Sequence, residues 1–410
     1  MTDAEKVQSK VPQLRFPEFS GGWEKSRLGD VATFLKGKGI SKADTDPEGK
    51  LECIRYGELY THYDELIERI RSKTNLDKKS LVLSKEGDVI IPASGESALD
   101  IATASCVKKE GVAYSGDLNV LRSSVNGLFL AYYLNNKRKH DIARYAQGAS
   151  VIHLYATQMK SLLLWNPKDS KENDKIASFV ATVDKKISLL KQKHEQLVQY
   201  KKGIMQQLFS QQLRFKDDNG QGFPDWKVRP MSEVLELVIR EVPKPEEKYL
   251  ALGVRSHMKG TFQKPDFNPN DIAMERLYSV KENDLIVNIT FAWEGAIAIV
   301  KKEDEGGLVS HRFPTYVFKD GEATHRYFKH IIQEKRFKYL LDLISPGGAG
   351  RNRVLSKKEF LKLKWNLPEI DEQNKIADFL GAIDQKINLA QQQIEQTQTY
   401  KQGLLQQMFV

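Results

Sequence analysis

Apolar residues recur at heptad spacing in two stretches of the chain. In the first stretch, the two rows are Ile176, Val183, Leu190, Leu197 and Ile204, and, four residues on, Val180, Ile187 and Leu208. In the second, they are Ile376, Ile383, Ala390 and Leu404, and Leu380, Ile387, Ile394 and Met408. Rows of this kind predict long helices that pair through an apolar seam. The polar residues that interrupt the seams are His194, Lys201, Thr397 and Lys401. Polar seam positions fix the register of paired helices. A single stripe would also fit a core helix of an ordinary bundle, but two homologous stripes in one chain favour mutual pairing. If the second helix returns to meet the first, the coiled coil is antiparallel.

The remaining sequence predicts two globular parts. Short β-branched runs broken by Gly, Pro and Asn, as in residues 87–97, 284–300 and 313–318, indicate strands. Apolar residues three and four apart predict one helix over 128–145 and another over 326–344. We therefore expect α/β (α+β) globular domains in tandem at 1–167 and 211–368, with the long helices at 168–210 and 369–410.

The two halves of the chain are copies at their ends. Residues 172–209 and 372–409 align without a gap at 18 of 38 identical positions. A fainter repeat joins residues 13–16 with 212–215, and Trp23 with Trp226. Between these segments the globular parts differ greatly. Similar helices therefore carry dissimilar heads, an arrangement suited to the recognition of two different targets.

Composition narrows the class of protein. Of 410 residues, 40% are hydrophobic and 29% are charged, as in soluble globular proteins. The 63 Lys and Arg residues exceed the 54 Asp and Glu residues by 9, which favours a polyanionic partner such as nucleic acid or an acidic lipid surface. No apolar run approaches the length of a membrane span, and the N-terminus does not resemble a signal peptide. We expect a cytoplasmic protein without a membrane segment.

Motifs for catalysis are absent from the sequence. No phosphate-binding GxxxxGK[ST] loop, Gly-rich cofactor loop or HExxH pattern occurs. The two cysteines, Cys53 and Cys106, provide no zinc ligand set. One alternative stays open, since Asp225, Glu246 and Lys248 could form the metal site of a self-sufficient nuclease. We otherwise expect no catalytic residue, no metal and no cofactor in this chain.

Basic and polar residues beside glycine in predicted loops are the candidates for DNA contacts, since such loops let the backbone approach phosphate while side chains reach base edges. In the first head, they are Lys36, Lys38, Lys42, Arg55, Ser94, Glu96, Ser150 and His153. In the second head, they are Arg255, His257, Lys259, Asn288, Thr290, Trp293, His311, Arg312, Arg351, Asn352 and Arg353.

Two dissimilar heads, each closed by a Trp-Asn segment and a helix of the form KIAxFxxxxDxKIxL followed by YKxGxxQQxF, give the chain a family likeness. It resembles the DNA-specificity subunit of a type I restriction-modification enzyme. The resemblance implies that 1–167 and 211–368 are target recognition domains, each of which reads one half of a bipartite asymmetric site in double-stranded DNA. It implies that the segments 168–210 and 369–410 are spacers.

The resemblance also implies protein partners. Two methyltransferase subunits would supply S-adenosylmethionine chemistry on adenine, and motor-nuclease subunits would use ATP and Mg to translocate and cut DNA. The helix residues expected to bind partners are Ile176, Val183, Ile187, Leu190, Ile376, Ile383 and Ile387. A different class of protein, a coiled-coil scaffold with two protein-binding heads and no DNA, would also explain the helices but not their divergent heads.

Overall fold

The computed structural model describes residues 10–148, 151–347 and 353–410. The chain divides into two compact units. The first holds the residues up to Lys193 together with Ala390–Val410, and the second holds His194–Leu389. Each unit therefore contains one head, the first part of the helix that follows this head, and the last part of the other long helix.

Within residues 10–148 and 151–193, the first unit contains thirteen strands and the shorter helices of its head. The strands are β1 (Glu24–Arg27), β2 (Ala32–Lys36), β3 (Leu51–Ile54), β4 (Leu66–Ile67), β5 (Ser72–Thr74), β6 (Val82–Leu83), β7 (Asp88–Pro92), β8 (Ser94–Gly95), β9 (Ser105–Val107), β10 (Ala113–Tyr114), β11 (Leu118–Ser123), β12 (Ile152–His153) and β13 (Leu163–Asn166). The helices are α1 (Leu28–Val31), α2 (Ala98–Ile101), α3 (Gly127–Tyr133), α4 (Lys139–Arg144) and α5 (Ala156–Met159). A π-helical turn, Leu134–Arg138, joins α3 to α4.

Two main sheets form the first head. The larger has the order β2-β11-β7-β9-β4, and the other has the order β5-β3-β10-β6. Strand β7 is buried along its whole length, which fits its unbroken run of apolar residues between Asp88 and Pro92. The two short sheets are β1-β13 and β12-β8.

The described part of the second unit contains eleven strands. They are β14 (Lys227–Pro230), β15 (Leu235–Val238), β16 (Glu241–Pro243), β17 (Tyr249–Val254), β18 (Thr261–Phe267), β19 (Arg276–Ser279), β20 (Leu285–Val287), β21 (Ile297–Ile299), β22 (Leu308–Val309), β23 (Thr315–Phe318) and β24 (Lys364–Leu367). They form sheets of order β15-β23-β20-β21, β16-β19-β22-β17-β18 and β14-β24.

The two long helices and the short helices of the second head complete the chain. In chain order with the five above, they are α6 (Ser170–Phe209), α7 (Met231–Val234), α8 (His325–Ile331), α9 (Lys335–Leu343), α10 (Lys357–Lys362) and α11 (Ile370–Met408). The heptad prediction of a long helix after each head is confirmed. No helix in the described ranges carries an apolar stretch long enough to cross a lipid bilayer.

One predicted helix of the second head is interrupted. The sequence predicts a single helix over 326–344, but the structure has α8 and α9, with Glu334 between them in an extended conformation. No Gly or Pro marks the break, and the apolar spacing is compatible with a continuous helix. No local breaker accounts for the interruption, and α9 packs against the turn Ala292–Glu294, far away in sequence. The corresponding stretch of the first head stays continuous through its π-helical turn.

In each unit an aromatic ring from the end of a long helix packs against the core of the head, fully buried for Phe409 and half-buried for Phe209. In the first unit, Phe409 lies 5.2 Å from Phe129 between ring centroids, and the Tyr133 hydroxyl donates to the carbonyl of Val410 at 3.2 Å. In the second unit, Phe209 lies 6.0 Å from Tyr327. The first part of one helix and the last part of the other thus share one core with a head, and they run antiparallel within it.

Candidate DNA and partner interface

A buried glutamate near the start of each long helix binds the segment that leads into the head, which we call the entry segment. In the first unit, both carboxylate oxygens of Glu172 accept from Arg15, from Nε and Nη2 at 2.7 Å each. Trp23 Nε1 donates to the same carboxylate at 3.3 Å. Bidentate pairs between Arg and carboxylate are among the strongest hydrogen-bonded contacts in proteins.

The second unit repeats this cluster. Glu372 accepts from Arg214 Nε at 3.1 Å and Nη2 at 2.8 Å, and from Trp226 Nε1 at 2.9 Å. The faint repeat at residues 13–16 and 212–215 and the strong repeat of the helices thus meet in space within each unit. Sequence comparison identifies both repeats, but it does not reveal that they contact each other.

Lysines that interrupt the apolar rows pair with aspartates of the other helix. In the first unit, Lys401 Nζ lies 2.7 Å from an Asp184 carboxylate oxygen. In the second, Lys201 Nζ lies 2.7 Å from Asp384. Since both lysines are only slightly exposed, the two ion pairs fix the register of each antiparallel helix pair.

The apolar row residues predicted to bind partners lie in the interior of this chain. Ile176, Val183 and Ile187 belong to the core of the first unit, and Ile376 and Ile383 belong to that of the second. Leu190 and Ile387 are half-buried. These side chains pack the helices against each other and against the heads. Their contact with a separate protein stays a prediction, and exposed positions of the same helices offer more surface.

The predicted lysines of the first head lie on an exposed loop. Lys36 ends β2, and Lys38 and Lys42 follow in the loop, all three exposed. The loop is held by hydrogen bonds from Gly37 N to Leu118 O at 2.9 Å and from Lys38 N to Tyr114 O at 3.0 Å. A Cβ at Gly37 would lie 1.9 Å from a backbone oxygen, so only glycine permits this approach.

A second group of predicted residues lies at the same end of the larger sheet. Lys36 is opposite Asn119, which is opposite Ile91 near the end of β7. Directly after β7, Ser94 pairs with His153. Ser94 is buried, whereas Glu96 and His153 are exposed. The loop with Lys36, Lys38 and Lys42 therefore borders the same end of the larger sheet as the exposed residues Glu96 and His153.

In the first head, the structure weakens one predicted DNA contact and adds one residue that was not predicted. Arg55 is half-buried and pairs with the buried Glu58 at 3.2 Å, so its guanidinium already has a partner inside the head. Tyr155, which sequence reasoning missed, is exposed and stacks with His153 at 6.3 Å between ring centroids. The sequence could have indicated Tyr155, because it follows His153 by two residues and alternate residues of an extended segment share a face.

Four of the predicted residues of the second head lie around the end of β20. Asn288 and Thr290 follow that strand directly, and Ile289 N donates to the carbonyl of Arg312 at 3.0 Å. His311 and Arg312 are exposed in the loop before β23. Strands β7 and β20 are both inner strands of their sheets, and in each head the predicted residues follow the end of this strand.

The hairpin between β17 and β18 carries three more predicted residues. Arg255, His257 and Lys259 are all exposed. The Arg255 guanidinium lies 5.0 Å from the centroid of Phe262 and donates to the carbonyl of Thr261 at 2.7 Å. His257 adopts a φ of 62°, and its backbone N donates to the carbonyl of Glu294 at 2.9 Å.

Three predicted residues of the second head border one cavity of about 500 Å³. They are His257, Trp293 and Arg353. The guanidinium of Arg353 lies 5.2 Å from the Trp293 ring and pairs with Asp342 at 2.6 Å, so that one face of the ring is already covered. Helix α9 adds side chains that sequence reasoning assigned to a structural helix, namely Lys335, Lys338 and Tyr339. Their spacing on one helix face was a usable signal.

Ser150, Arg351 and Asn352 lie outside the described residues, so their contact with DNA remains a prediction. In the nuclease alternative, Asp225 is exposed and pairs with Arg214 at 3.6 Å. Within residues 10–148, 151–347 and 353–410, no group of three or more His, Cys, Asp and Glu side chains is arranged to hold a metal ion.

Comparison with known proteins identifies the family. A sequence model of the type I restriction modification DNA specificity domain matches residues 20–199 and again residues 224–398. The chain belongs to this family. Each match covers one head and most of the helix that follows, so the two repeats are two tandem specificity domains.

Relatives agree with this membership over nearly the full chain. The type I restriction enzyme MjaVIII specificity subunit of Methanocaldococcus jannaschii is 24% identical over 411 residues, which cover 96% of this chain and 92% of the relative. The crystal structure of a type I restriction-modification S subunit from M. genitalium matches with a TM-score of 0.63 at 14% identity, over 98% of this chain and 99% of that one. A chain from a structural study of type I complex assembly matches with a TM-score of 0.50 at 15% identity, over 96% and 98%. The two structures support the fold.

Proposed function

We propose that this specificity subunit reads a bipartite asymmetric site in double-stranded DNA, one half-site per head, and directs adenine methylation and DNA cleavage by partner subunits. One observation carries the proposal. Two domains of the same family have closely similar helices and entry clusters, yet their loops differ in sequence where the inner strands β7 and β20 end. Dissimilar loops on a shared scaffold suit the recognition of two different DNA sequences.

The charges on these loops support DNA as the ligand. Lys36, Lys38 and Lys42 are exposed on the first head, and Arg255, Lys259 and Arg312 are exposed on the second. Contacts between Lys or Arg and phosphate orient a protein on the duplex, while contacts with base edges give specificity. In this proposal the segments 1–167 and 211–368 are the recognition domains, and 168–210 and 369–410 are the spacers between them.

Exposed apolar residues on the long helices support two copies of a methyltransferase as partners. Leu189 and Leu389 are each 54% exposed, and Tyr200 and Tyr400 are 52% and 53% exposed. Each pair occupies equivalent positions of the repeat, so each of these apolar side chains is exposed in both copies of the helix. Leu189 also borders an open cleft of about 1490 Å³ between α6 and the first head. S-adenosylmethionine, ATP and Mg would belong to the partner subunits.

Mapping of methylated adenines tests the DNA proposal. In cells that express the chain with its methyltransferase, Lys36→Ala with Lys38→Ala should reduce or relax recognition of one half-site, and His311→Ala with Arg312→Ala should affect the other. A lost phosphate contact weakens binding to all sequences, whereas a lost base contact relaxes one position and costs about 1 to 3 kcal/mol. Equal changes in both half-sites would contradict separate recognition. Absence of salt-dependent binding to DNA would favour the protein scaffold instead.

Co-purification tests the partner surface. Leu189→Asp together with Leu389→Asp should abolish the complex with the methyltransferase, because each change places a charge in an apolar contact. Ser188→Asp with Asn388→Asp is the matched control, since it adds the same charge at neighbouring exposed positions. Size-exclusion chromatography should show the complex for the control variant alone. An intact complex in both variants would exclude this surface as the docking site.

A further inference from the structure

An aromatic cavity of about 430 Å³ lies in the second head. It is bordered by β17, β18, the segment after β20 and the loop before β23, and five of its lining residues are aromatic: Tyr249, Phe262, Phe267, Phe291 and Phe313. Apolar cavities of this size with a few placed polar groups are typical ligand sites. Aromatic walls favour a flat ring, which can stack on their faces.

The walls of the cavity are fixed by packing. The ring of Phe262 lies directly on Gly253, where an added Cβ would come within 2.3 Å of a ring carbon. Tyr249 and Phe267 are in edge-to-face contact with ring centroids 5.6 Å apart. The cavity therefore has a shape defined by close contacts within the head.

Two polar groups in the cavity have unused hydrogen-bonding capacity. Asn288 is 8% exposed, and its Oδ1 accepts from Thr290 N at 3.1 Å. Its amide Nδ2 donates to no acceptor among the residues that the structure describes. Glu294 accepts from Ser256 Oγ at 2.6 Å through one oxygen, and its second oxygen has capacity for a further donor. The cavity thus offers one donor and one acceptor at its polar side.

One lysine lines the cavity, and two arginines are chain neighbours of its lining residues. Lys264 lines it directly and is exposed. Arg255 adjoins the lining residues Val254 and Ser256, and Arg312 precedes the lining residue Phe313. A ring that is attached to phosphates would be favoured here over a neutral apolar ligand, because the rim attracts the phosphates.

From these contacts we infer that the cavity binds a nucleobase with an exocyclic amino group, donated by a nucleotide of the second half-site that turns out of the base stack. Asn288 Nδ2 donates to a ring nitrogen or carbonyl of the base, and Glu294 accepts from its amino group. The aromatic rings replace the stacking that the base loses, as in other sites that bind extruded bases. This inference rests on the proposed DNA recognition, and the same chemistry would also take a free nucleoside.

The test uses the complex of the full chain with its methyltransferase and duplexes of the mapped site. 2-Aminopurine replaces each base of the second half-site in turn, except the adenine that becomes methylated, so that movement of that base does not contribute. One position should change its fluorescence when the protein binds. Asn288→Asp should abolish this change and weaken DNA binding about tenfold, because it removes the donor and keeps the oxygen that Thr290 N requires.

Two controls make the test specific. Asn268→Asp adds the same charge to the same head, in a residue whose Oδ1 likewise accepts from the backbone N two residues on, at 3.0 Å, and it should leave the signal unchanged. Ala251→Leu narrows the cavity without a charge and should abolish the signal, whereas Ala273→Leu at an exposed neighbouring position should not. A signal that survives both cavity variants, or that appears at no position, would overturn extrusion of a DNA base.

A second arm distinguishes the source of the base and the failure of the parent proposal. Calorimetric titration with adenosine and with cytidine compares the unmodified complex with the Asn288→Asp complex, because the methyltransferase subunits would also take adenosine and only the difference between the two complexes reports on the cavity. Binding that is lost in Asn288→Asp, without a DNA signal, would assign the cavity to a free nucleoside and overturn the DNA source. No binding in either arm would overturn the site, even if footprints on the same samples confirm sequence-specific DNA recognition.

Discussion

Each helix pair contains an equivalent Lys–Asp ion pair, but the charges around this ion pair differ between the two units. In the first unit, Lys401 lies between Asp184 at 2.7 Å and Glu65 at 3.1 Å. In the second, Asp384 lies between Lys201 at 2.7 Å and Lys329 at 3.6 Å. The cluster of the first unit thus has one excess negative charge, and that of the second has one excess positive charge.

The heads also place different uncharged side chains at the equivalent position beside the Lys–Asp ion pair. Tyr132 lies six residues after the helix cap Asn126, and its hydroxyl donates to Asp184 at 2.6 Å. His330 lies six residues after the cap Thr324, is 1% exposed, and its Nδ1 has no partner among the described residues. Repetition of the helices therefore preserves the Lys–Asp pair, while the divergent heads decide its electrostatic surroundings.

The largest effect that we expect from this difference is acid sensitivity of the second unit. Burial, followed by the charge of Lys201, lowers the pKa of His330 to about 4 from an ordinary value near 6.5. The unfolded chain therefore binds more protons than the folded one between these values. The contribution of neutral His330 to the free energy of unfolding is fully present above pH 6.5. It is lost as the pH falls through 4, and the total loss is about 3 kcal/mol. Burial raises the pKa of Tyr132 far above its ordinary range, so Tyr132 stays neutral.

Hydrogen exchange measures this sensitivity in each unit separately. Amides of α8 should lose protection between pH 6.5 and pH 4 more steeply than those of α3. His330→Tyr should remove the excess loss, since it places in the second unit the residue that the first one uses. His325→Gln on the same helix provides a comparison and should remove only part of the loss, because burial lowers the pKa of that histidine too. Equal pH profiles of α3 and α8 in the unmodified chain would contradict this account.

A smaller difference is expected between the two lysines. Lys401→Met leaves Asp184 and Glu65 close together without a counter-charge, and we expect a loss of about 2 kcal/mol in the free energy of unfolding. Lys201→Met should cost about 1 kcal/mol, because Lys329 still neutralises Asp384 and the positive charge beside His330 is reduced. Urea denaturation of both variants provides the comparison. A larger loss for Lys201→Met would reverse the proposed order.

The smallest expected effect concerns the excess charges themselves. Glu65→Gln and Lys329→Gln each return one cluster to neutrality, and we expect changes within about 0.5 kcal/mol, as for other partly exposed charges. Glu65→Gln should also reduce the cost of Lys401→Met in a double-mutant cycle. Additive free energies in that cycle would show that Glu65 and Lys401 do not interact appreciably.

The candidate site was only partly accessible from the sequence. Glycine-rich composition pointed to the loop with Lys36 and Lys38, which the structure places at an exposed sheet end. Composition could not separate these residues from Arg55, whose guanidinium pairs with Glu58. Nor could it show that Asn288 lines an aromatic cavity, because Tyr249, Phe262 and Phe313 come together from distant parts of the chain. Exposure and shared cavities depend on long-range packing, which local composition does not encode.

Local periodicity and repetition by themselves determined the tandem organisation and the two long helices, since a heptad row needs only neighbouring residues to define an apolar face. They also marked Lys201 and Lys401 as interruptions of the rows. Only the tertiary structure decided that these lysines bind Asp384 and Asp184, and that each head encloses the end of the other head's helix. The physical reason is that an ion pair between residues about 200 positions apart depends on the path of the whole chain. That path is set by the entropy of closing a long loop and by the packing of the core, and a short sequence pattern encodes neither.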